Sequence, residues 1–344
     1  MKSVERFLAA LEGNIPDQVP LFELYVHPKI IEALDPGASW PDFVENWGLD
    51  AISSIWFFED IFGQDWISED TYRDEWGVTW KELPESRAPI DSPIRSLEDA
   101  KHYSPPDPYA DIRLGKLPEY VERFKGEKAI VWGQRADFMW AADLVGMDKF
   151  LMAFLEDPAL VHRVLDIVSE FSITLARRAI RAGADVVMLL DDVAFNSGPL
   201  ISPALFEEFI MPRFSKAVKA VKEEGALCIK HSDGNLWKVL DMIVASGIDG
   251  IHPLDPGSGM DIKKTKRAYG DKVCLIGNID CGSLLSNGTK DEVQATVKQT
   301  IKDAAPGGRY ILSSSNSIHS SVKPENYRAM LESAKEWGGY PIEL

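Results

Sequence analysis

The sequence predicts an α/β fold, a single (β/α)8 barrel filling residues 1–344. Two observations carry this. From residue 129 onward, short β-branched runs alternate with long helical stretches, as parallel βα units do. Eight such runs can be counted along the chain, and the late ones are apolar at the start and polar at the end. Eight units close a barrel, and polar strand ends converge on its mouth.

The expected strands are Val19–Tyr25, Asp50–Trp56, Ala129–Arg135, Ala184–Asp192, Leu227–Gly234, Gly247–Pro256, Val273–Asp280 and Tyr310–Ser317. Asp157, followed by Pro158 and closed by Gly183, brackets one long helix. Ser202 opens another, which Pro212 should kink. Thr289 and Glu292 form a capping box. Residues 57–128 are less regular and read as an insertion after the second strand that covers the mouth. Within them TYRDEWGVTWKEL is a β-hairpin around Gly77, and the proline-rich stretch that follows is a long loop with short helical turns. Trp76 and Trp80 would either anchor a partner or pack the hairpin on the barrel rim.

Composition narrows the function. The net charge of −17 disfavours nucleic acid, which needs a basic surface, and any polyanionic substrate not met by clustered arginines. The N-terminus is amphipathic rather than a signal peptide, and no stretch is apolar enough to span a membrane. Cys228, Cys274 and Cys281 form no CxxC pair, which suits a reducing, cytoplasmic setting. Phosphate-binding loops, a GxSxG elbow and HExxH are absent.

The polar strand ends supply the candidate site. They are Glu23 in the first strand; Arg135; Asp191, Asp192 and Asn196; His231, Ser232, Asp233 and Asn235; His252 and Asp255; Asn278, Asp280 and Cys281; and the serines and Asn316 of the eighth. Asn196, Asn235 and Asp255 have the setting of turn and cap residues. His231 follows a wholly apolar strand and reads as functional, whereas His252 adjoins a proline turn and is equally a structural residue. Met139 and Trp140 read as pocket wall or core.

In its ordered segments the chain resembles the uroporphyrinogen decarboxylase superfamily. The resemblance is carried by RFLAALEGNIPDQVP, by GADVVMLLDD with LISPALFEEFIMPRFSKAVKAVKEEG, by KHSDGN, by DPGSGMDIKKTKRAYGDKVCLIGNID and by APGGRYILSSSNSIHSSVKPENYRAMLESAKEWG. It implies a (β/α)8 barrel and one of two chemistries: decarboxylation of uroporphyrinogen, or methyl transfer to or from a corrinoid. The decarboxylases place arginines just after the first strand. Here no arginine occurs between Arg6 and Arg73, and Arg135 alone is a poor match for a polycarboxylate. The thiol-methylating branch holds zinc through a His-x-Cys pair and a later Cys. His231 matches that pattern, but Asp233 and Asn316 stand at the two thiolate positions, so a thiol-activating zinc does not fit.

The resemblance therefore implies a corrinoid-dependent methyltransferase. Its cobamide (methylcobalamin) would be carried by a separate corrinoid protein, and its small-molecule partner would be tetrahydrofolate or a methoxy compound. His231, Asp233 and Asp280 are the expected catalytic groups. Glu23, Arg135, Asp192, Asn196, Asn278 and Asn316 are the expected substrate contacts. No metal is expected, and His231 and Asp233 are the candidate ligands were a hard-ligand metal to bind. Asp192, Asp233, Asn278, Asp280 and Asn316 together would match the polar edge of a pterin. Trp56, Phe57 and Phe58 would suit an aromatic methoxy substrate.

Overall fold

The computed structural model describes residues 1–55, 63–83 and 86–343. Trp56, Phe57 and Phe58 lie outside them. Seven parallel strands form the central sheet in the order β1 (Ala51–Ile55), β6 (Ala129–Arg135), β7 (Val186–Leu190), β10 (Leu227–His231), β11 (Gly250–His252), β12 (Cys274–Ile279) and β13 (Tyr310–Ser314). Residues 19–26 close the gap between β13 and β1. Leu21 and Val26 bridge Leu312 and Ile318 in parallel, and on the other side Asp50 N–H donates to the Leu21 carbonyl. This eighth stave is not a regular ladder. Pro20 has no N–H to give, so pairing survives only at isolated bridges.

The expected late strands run past the observed ones. β7 stops at Leu190, β10 at His231, β11 at His252 and β13 at Ser314. The polar residues beyond each end belong to the loops, where their side chains cap and cross-link the mouth.

The N-terminal helix Ser3–Glu12 plugs the opposite end of the barrel. Its Phe7 and Leu11 are buried with Phe22, Val131, Met188, Ile229 and Ile276. Gly250 has no side chain because Leu11 is there: a Cβ would come within 2.9 Å of its Cδ2. Asp50 ties plug to barrel. It is 3% exposed, accepts the Leu21 N–H at 2.8 Å and accepts Arg6 Nη1 at 2.8 Å.

The expected hairpin is present as β3 (Thr71–Arg73) and β4 (Thr79–Glu82), with Tyr72 opposite Trp80. Asp74 builds its turn, accepting the N–H groups of Trp76 and Val78 and the Trp80 indole N–H, while Gly77 takes φ +79°. β2 (Asp65–Ser68) and β5 (Arg87–Asp91) extend it to a four-stranded antiparallel sheet. Trp76 and Trp80 are each 4% exposed, so both are packing residues and not partner anchors. Trp76 sits against Trp140 and Phe171 at 4.4 and 4.8 Å between ring centroids, and Trp80 lies under the Arg135 guanidinium at 5.8 Å. The proline-rich stretch contains the helices Leu97–His102 and Leu117–Phe124 and a 3-10 turn at Asp111–Leu114.

The capping signals are realised. Asp157 caps Pro158–Arg181, Ser202 accepts the Leu205 N–H, and the Thr289–Glu292 box opens Lys290–Ala304. At Pro212 the helix does more than kink. Proline lacks the N–H that would reach the Glu208 carbonyl, and a π-turn over Phe206–Ile210 precedes the α-helix Met211–Glu223. Among the described residues no helix is long and apolar enough to cross a membrane.

Replacing Asp50 with alanine leaves a buried N–H and part of a guanidinium unmatched. It is expected to destabilise the fold by about 2–4 kcal/mol, read as a lower denaturation midpoint, with Asp50→Asn recovering part of the loss. An unchanged midpoint would mean that Asp50 does not join plug to barrel.

Candidate active site

Parallel register assembles the site. His231 pairs with Leu190 on one side and with His252 on the other, so the residues following β7 and β10 emerge next to one another. The neighbouring Lys230 carries its ammonium to the Asp191 and His231 carbonyls. Asp191 is committed to structure: its carboxylate accepts Phe138 N–H at 3.0 Å and Met139 N–H at 2.7 Å, holding the start of the helix Asp137–Val145.

Asp192, His231 and Asp233 form a compact trio whose ligating atoms all lie within 4.8 Å of one another. His231 Nε2 is 3.7 Å from Asp192 Oδ1 and 3.7 Å from Asp233 Oδ1. Asp192 Oδ1 is fixed by the Asp233 N–H at 2.8 Å, and Asn316 Nδ2 donates to Asp233 Oδ2. The Asp233 side chain is 36% exposed overall, yet its Oδ1 is sealed from solvent and has no hydrogen-bond partner. The trio borders a cavity of about 190 Å³ whose walls include Leu24, Arg135, Met139, Leu190 and Ser317. Arg135 is paired with Asp143.

Burial sets the protonation states. It pushes the Asp233 carboxyl up to about 7, with the negative charges of Asp192 and Asp255 adding to it and the Asn316 amide opposing. It pushes His231 down to about 3, helped by the Lys230 charge. His252 is also driven well below the usual imidazole range, by burial and by His231. Both rings are neutral at neutral pH. Their Nδ1 atoms are 2.7 Å apart, so one donates and the other accepts.

The trio is thus a nitrogen and two carboxylate oxygens with an unmatched oxygen among them, a set suited to a hard divalent cation. No thiol joins it. Cys281 contacts Ser315, and its thiol is pushed up to about 11 by burial; Cys228 and Cys274 are buried and likewise raised.

Of the expected site residues, His231, Asp233, Asp192, Asn316 and Arg135 meet at this cavity; four others stand elsewhere. Glu23 is wholly buried beneath the cluster, where Ser313 and Ser314 surround its carboxyl, because its segment forms a barrel stave. Asn278 gives its amide to the Leu254 and Met260 carbonyls, fastening a loop. Asp280 accepts the Ser283 N–H at 2.8 Å as a turn residue. Asn196 is exposed and accepts from Ser258 Oγ at 2.9 Å, the turn role its setting suggests. Asn235 and Asp255 are also bound up in turns. His252, whose sequence setting suits a structural role equally, stands directly behind His231. The available signal was that two histidines end adjacent expected strands, which parallel register brings side by side.

Comparison with known proteins agrees with this architecture. A family model described as uroporphyrinogen decarboxylase (URO-D) matches residues 74–337. The methylcobamide:CoM methyltransferase MtaA of Methanosarcina barkeri is 26% identical over 356 residues, covering 96% of this chain and 97% of its own. The uroporphyrinogen decarboxylase of Pseudoalteromonas translucida is 27% identical over 266 residues, covering 72% of this chain and 71% of its own. A solved methyltransferase from Methanosarcina mazei shares the fold with a TM-score of 0.77 at 23% identity, covering 98% of this chain and 99% of that one. With the family model spanning most of the barrel, the chain belongs to the uroporphyrinogen decarboxylase (URO-D) family.

Proposed function

We propose that this chain is a corrinoid-dependent methyltransferase that moves a methyl group between a methoxy compound and a cobamide held by a separate corrinoid protein. The observation that carries the reading is the Asp192–His231–Asp233 trio, which offers oxygen and imidazole donors and no thiolate. Full-length similarity to methylcobamide:CoM methyltransferases supports the corrinoid half of the reaction. Asp233 and Asn316, at the thiolate positions of the thiol-methylating branch, argue for a different small-molecule partner. Arg135, bound to Asp143, is a poor receptor for a polycarboxylate porphyrinogen. A pterin draws less support than a methoxy compound, since Asn278 and Asp280, two of the five groups expected along its edge, are occupied away from the cavity.

In demethylation of a methoxy compound the methyl carbon–oxygen bond breaks and its electron pair stays on the departing oxygen. A divalent cation held by Asp192, His231 and Asp233 would supply Lewis-acid polarisation of that oxygen. The neutral His231 ring is in the form that can ligate. Asn316 and the Asp233 N–H hold the two carboxylates in place. The protein's part would be to align the substrate for in-line displacement, an effect worth up to roughly 7–11 kcal/mol in well-oriented systems.

With a methylated phenol, a corrinoid protein and reduced cobamide, methylcobamide is expected to accumulate by its visible absorbance. Asp233→Ala should cut the rate by on the order of 10²-fold or more, while Asp280→Ala stays within about threefold of the parent because a turn residue touches no substrate. Transfer to a thiol or to tetrahydrofolate, with none from the methoxy compound, would overturn the reading.

Because Asp233 titrates near 7, a proton competes with any cation below that pH. Zn²⁺ or Mn²⁺ affinity measured by calorimetry should fall about tenfold per unit as pH drops below about 7 and level off above it. A flat profile from pH 5 to 8 would contradict Asp233 as a ligand.

A further inference from the structure

Beneath the cluster, the fully buried Glu23 carboxyl meets two adjacent serines at the end of β13. Ser314 N–H donates to Oε1 at 3.1 Å, and Ser314 Oγ lies 2.6 Å from Oε2. Ser313 Oγ lies 3.4 Å from the same Oε2 and 3.4 Å from His252 Nε2. His252 Nδ1 is in turn 2.7 Å from His231 Nδ1. A continuous line of polar atoms therefore joins Glu23 to the back of His231.

Counting hydrogens gives this line a direction. The Ser313 hydroxyl has one hydrogen and two neighbours. Given to Glu23 Oε2, it leaves Ser313 Oγ to accept the His252 Nε2–H. His252 Nδ1 is then bare and accepts the His231 Nδ1–H, and His231 Nε2 faces the carboxylates without a hydrogen. The opposite polarity leaves two oxygens facing each other unless the carboxyl hydrogen sits between them.

Ser314 completes the count. Its hydroxyl also lies 2.9 Å from the Asn316 carbonyl, which can only accept. Its one hydrogen goes there, so the hydrogen between Ser314 Oγ and Glu23 Oε2 belongs to Glu23. Burial raises this carboxyl to about 8, in keeping with a neutral acid. With the carboxyl hydrogen held in the 2.6 Å Ser314 contact, or with the carboxyl ionised, Glu23 offers Ser313 only an acceptor, and the Ser313 arm runs the same way.

We propose that Glu23 is a positioning residue that, through Ser313 and His252, fixes the tautomer of His231 so that bare Nε2 is presented to Asp192 and Asp233. The consequence for ligand binding rests on the site reading given above; the tautomer does not.

Glu23→Gln tests this at nearly constant shape. The Ser314 N–H holds the amide oxygen at the Oε1 position, so the amide N–H₂ faces both hydroxyls. Ser313 must then donate to His252, and both imidazoles change tautomer. In ¹⁵N-histidine NMR spectra at neutral pH, His231 of the parent should show a protonated Nδ1 and a bare Nε2, and Glu23→Gln should exchange the two with the thermal midpoint nearly unchanged. Zn²⁺ affinity should fall about 10–100-fold, as when a supporting contact behind a ligating histidine is lost. Ser313→Ala, which removes the relay atom without disturbing the Ser314 arm, should give a mixture of tautomers if Glu23→Gln fails to fold. A parent His231 protonated on Nε2, or tautomers unchanged in these variants, would overturn the proposal. Exchanged tautomers with no Zn²⁺ binding to either protein would uphold it and sink the cation reading instead.

Discussion

The site depends on one electrostatic mismatch. Asp192 Oδ1, Asp233 Oδ1 and His231 Nε2 lie close together, and Asp233 Oδ1 has no hydrogen-bond partner. Acceptors brought together in a desolvated place repel one another unless a proton or a cation intervenes. Burial first, and the charges of Asp192 and Asp255 after it, push Asp233 upward, so that a proton can answer the repulsion; a hard divalent cation is the other answer.

The scaffold sustains the mismatch by supporting each member from behind. Asn316 and the Asp233 N–H hold the carboxylates, and His252 backs His231. Asp191, next in sequence to Asp192, is spent on a helix N-terminus, which fixes where its neighbour can point. The antiparallel sheet of the insertion, docked through Trp76 and Trp80, borders the same mouth at Arg135. The helix plug at the far end, tied by Asp50 and Arg6, lets the barrel interior be dry enough to displace the titration of Glu23 and both histidines.

Much of this was legible in the residues. Alternating β-branched runs and capped helices defined the barrel, and the hairpin around Gly77 was marked by its own alternation. His231, Asp233, Asp192 and Asn316 followed from their places at strand ends. The expected residues that stand away from the cavity do so for a common reason. Polarity at a strand end says that a side chain lies near the mouth, but not whether it points into the cavity or back to the main chain. Asn278 and Asp280 turn to backbone groups, and Glu23 points inward because its segment is a stave and not a loop. Whether an aspartate is a cap or a ligand depends on which N–H groups a distant loop leaves open, and the Asp191–Asp192 pair shows both outcomes in adjacent residues. The Ser313–His252 connection was hidden for the same reason: it joins strands far apart in the chain through register alone.

Anomalous diffraction from crystals equilibrated with Mn²⁺ would show whether Asp192, His231 and Asp233 hold a hard cation. One strong peak is expected, bounded by Asp192, His231 and Asp233 and absent from Asp233→Asn crystals. Crystals of the parent with no peak there at a pH above the Asp233 titration would contradict it.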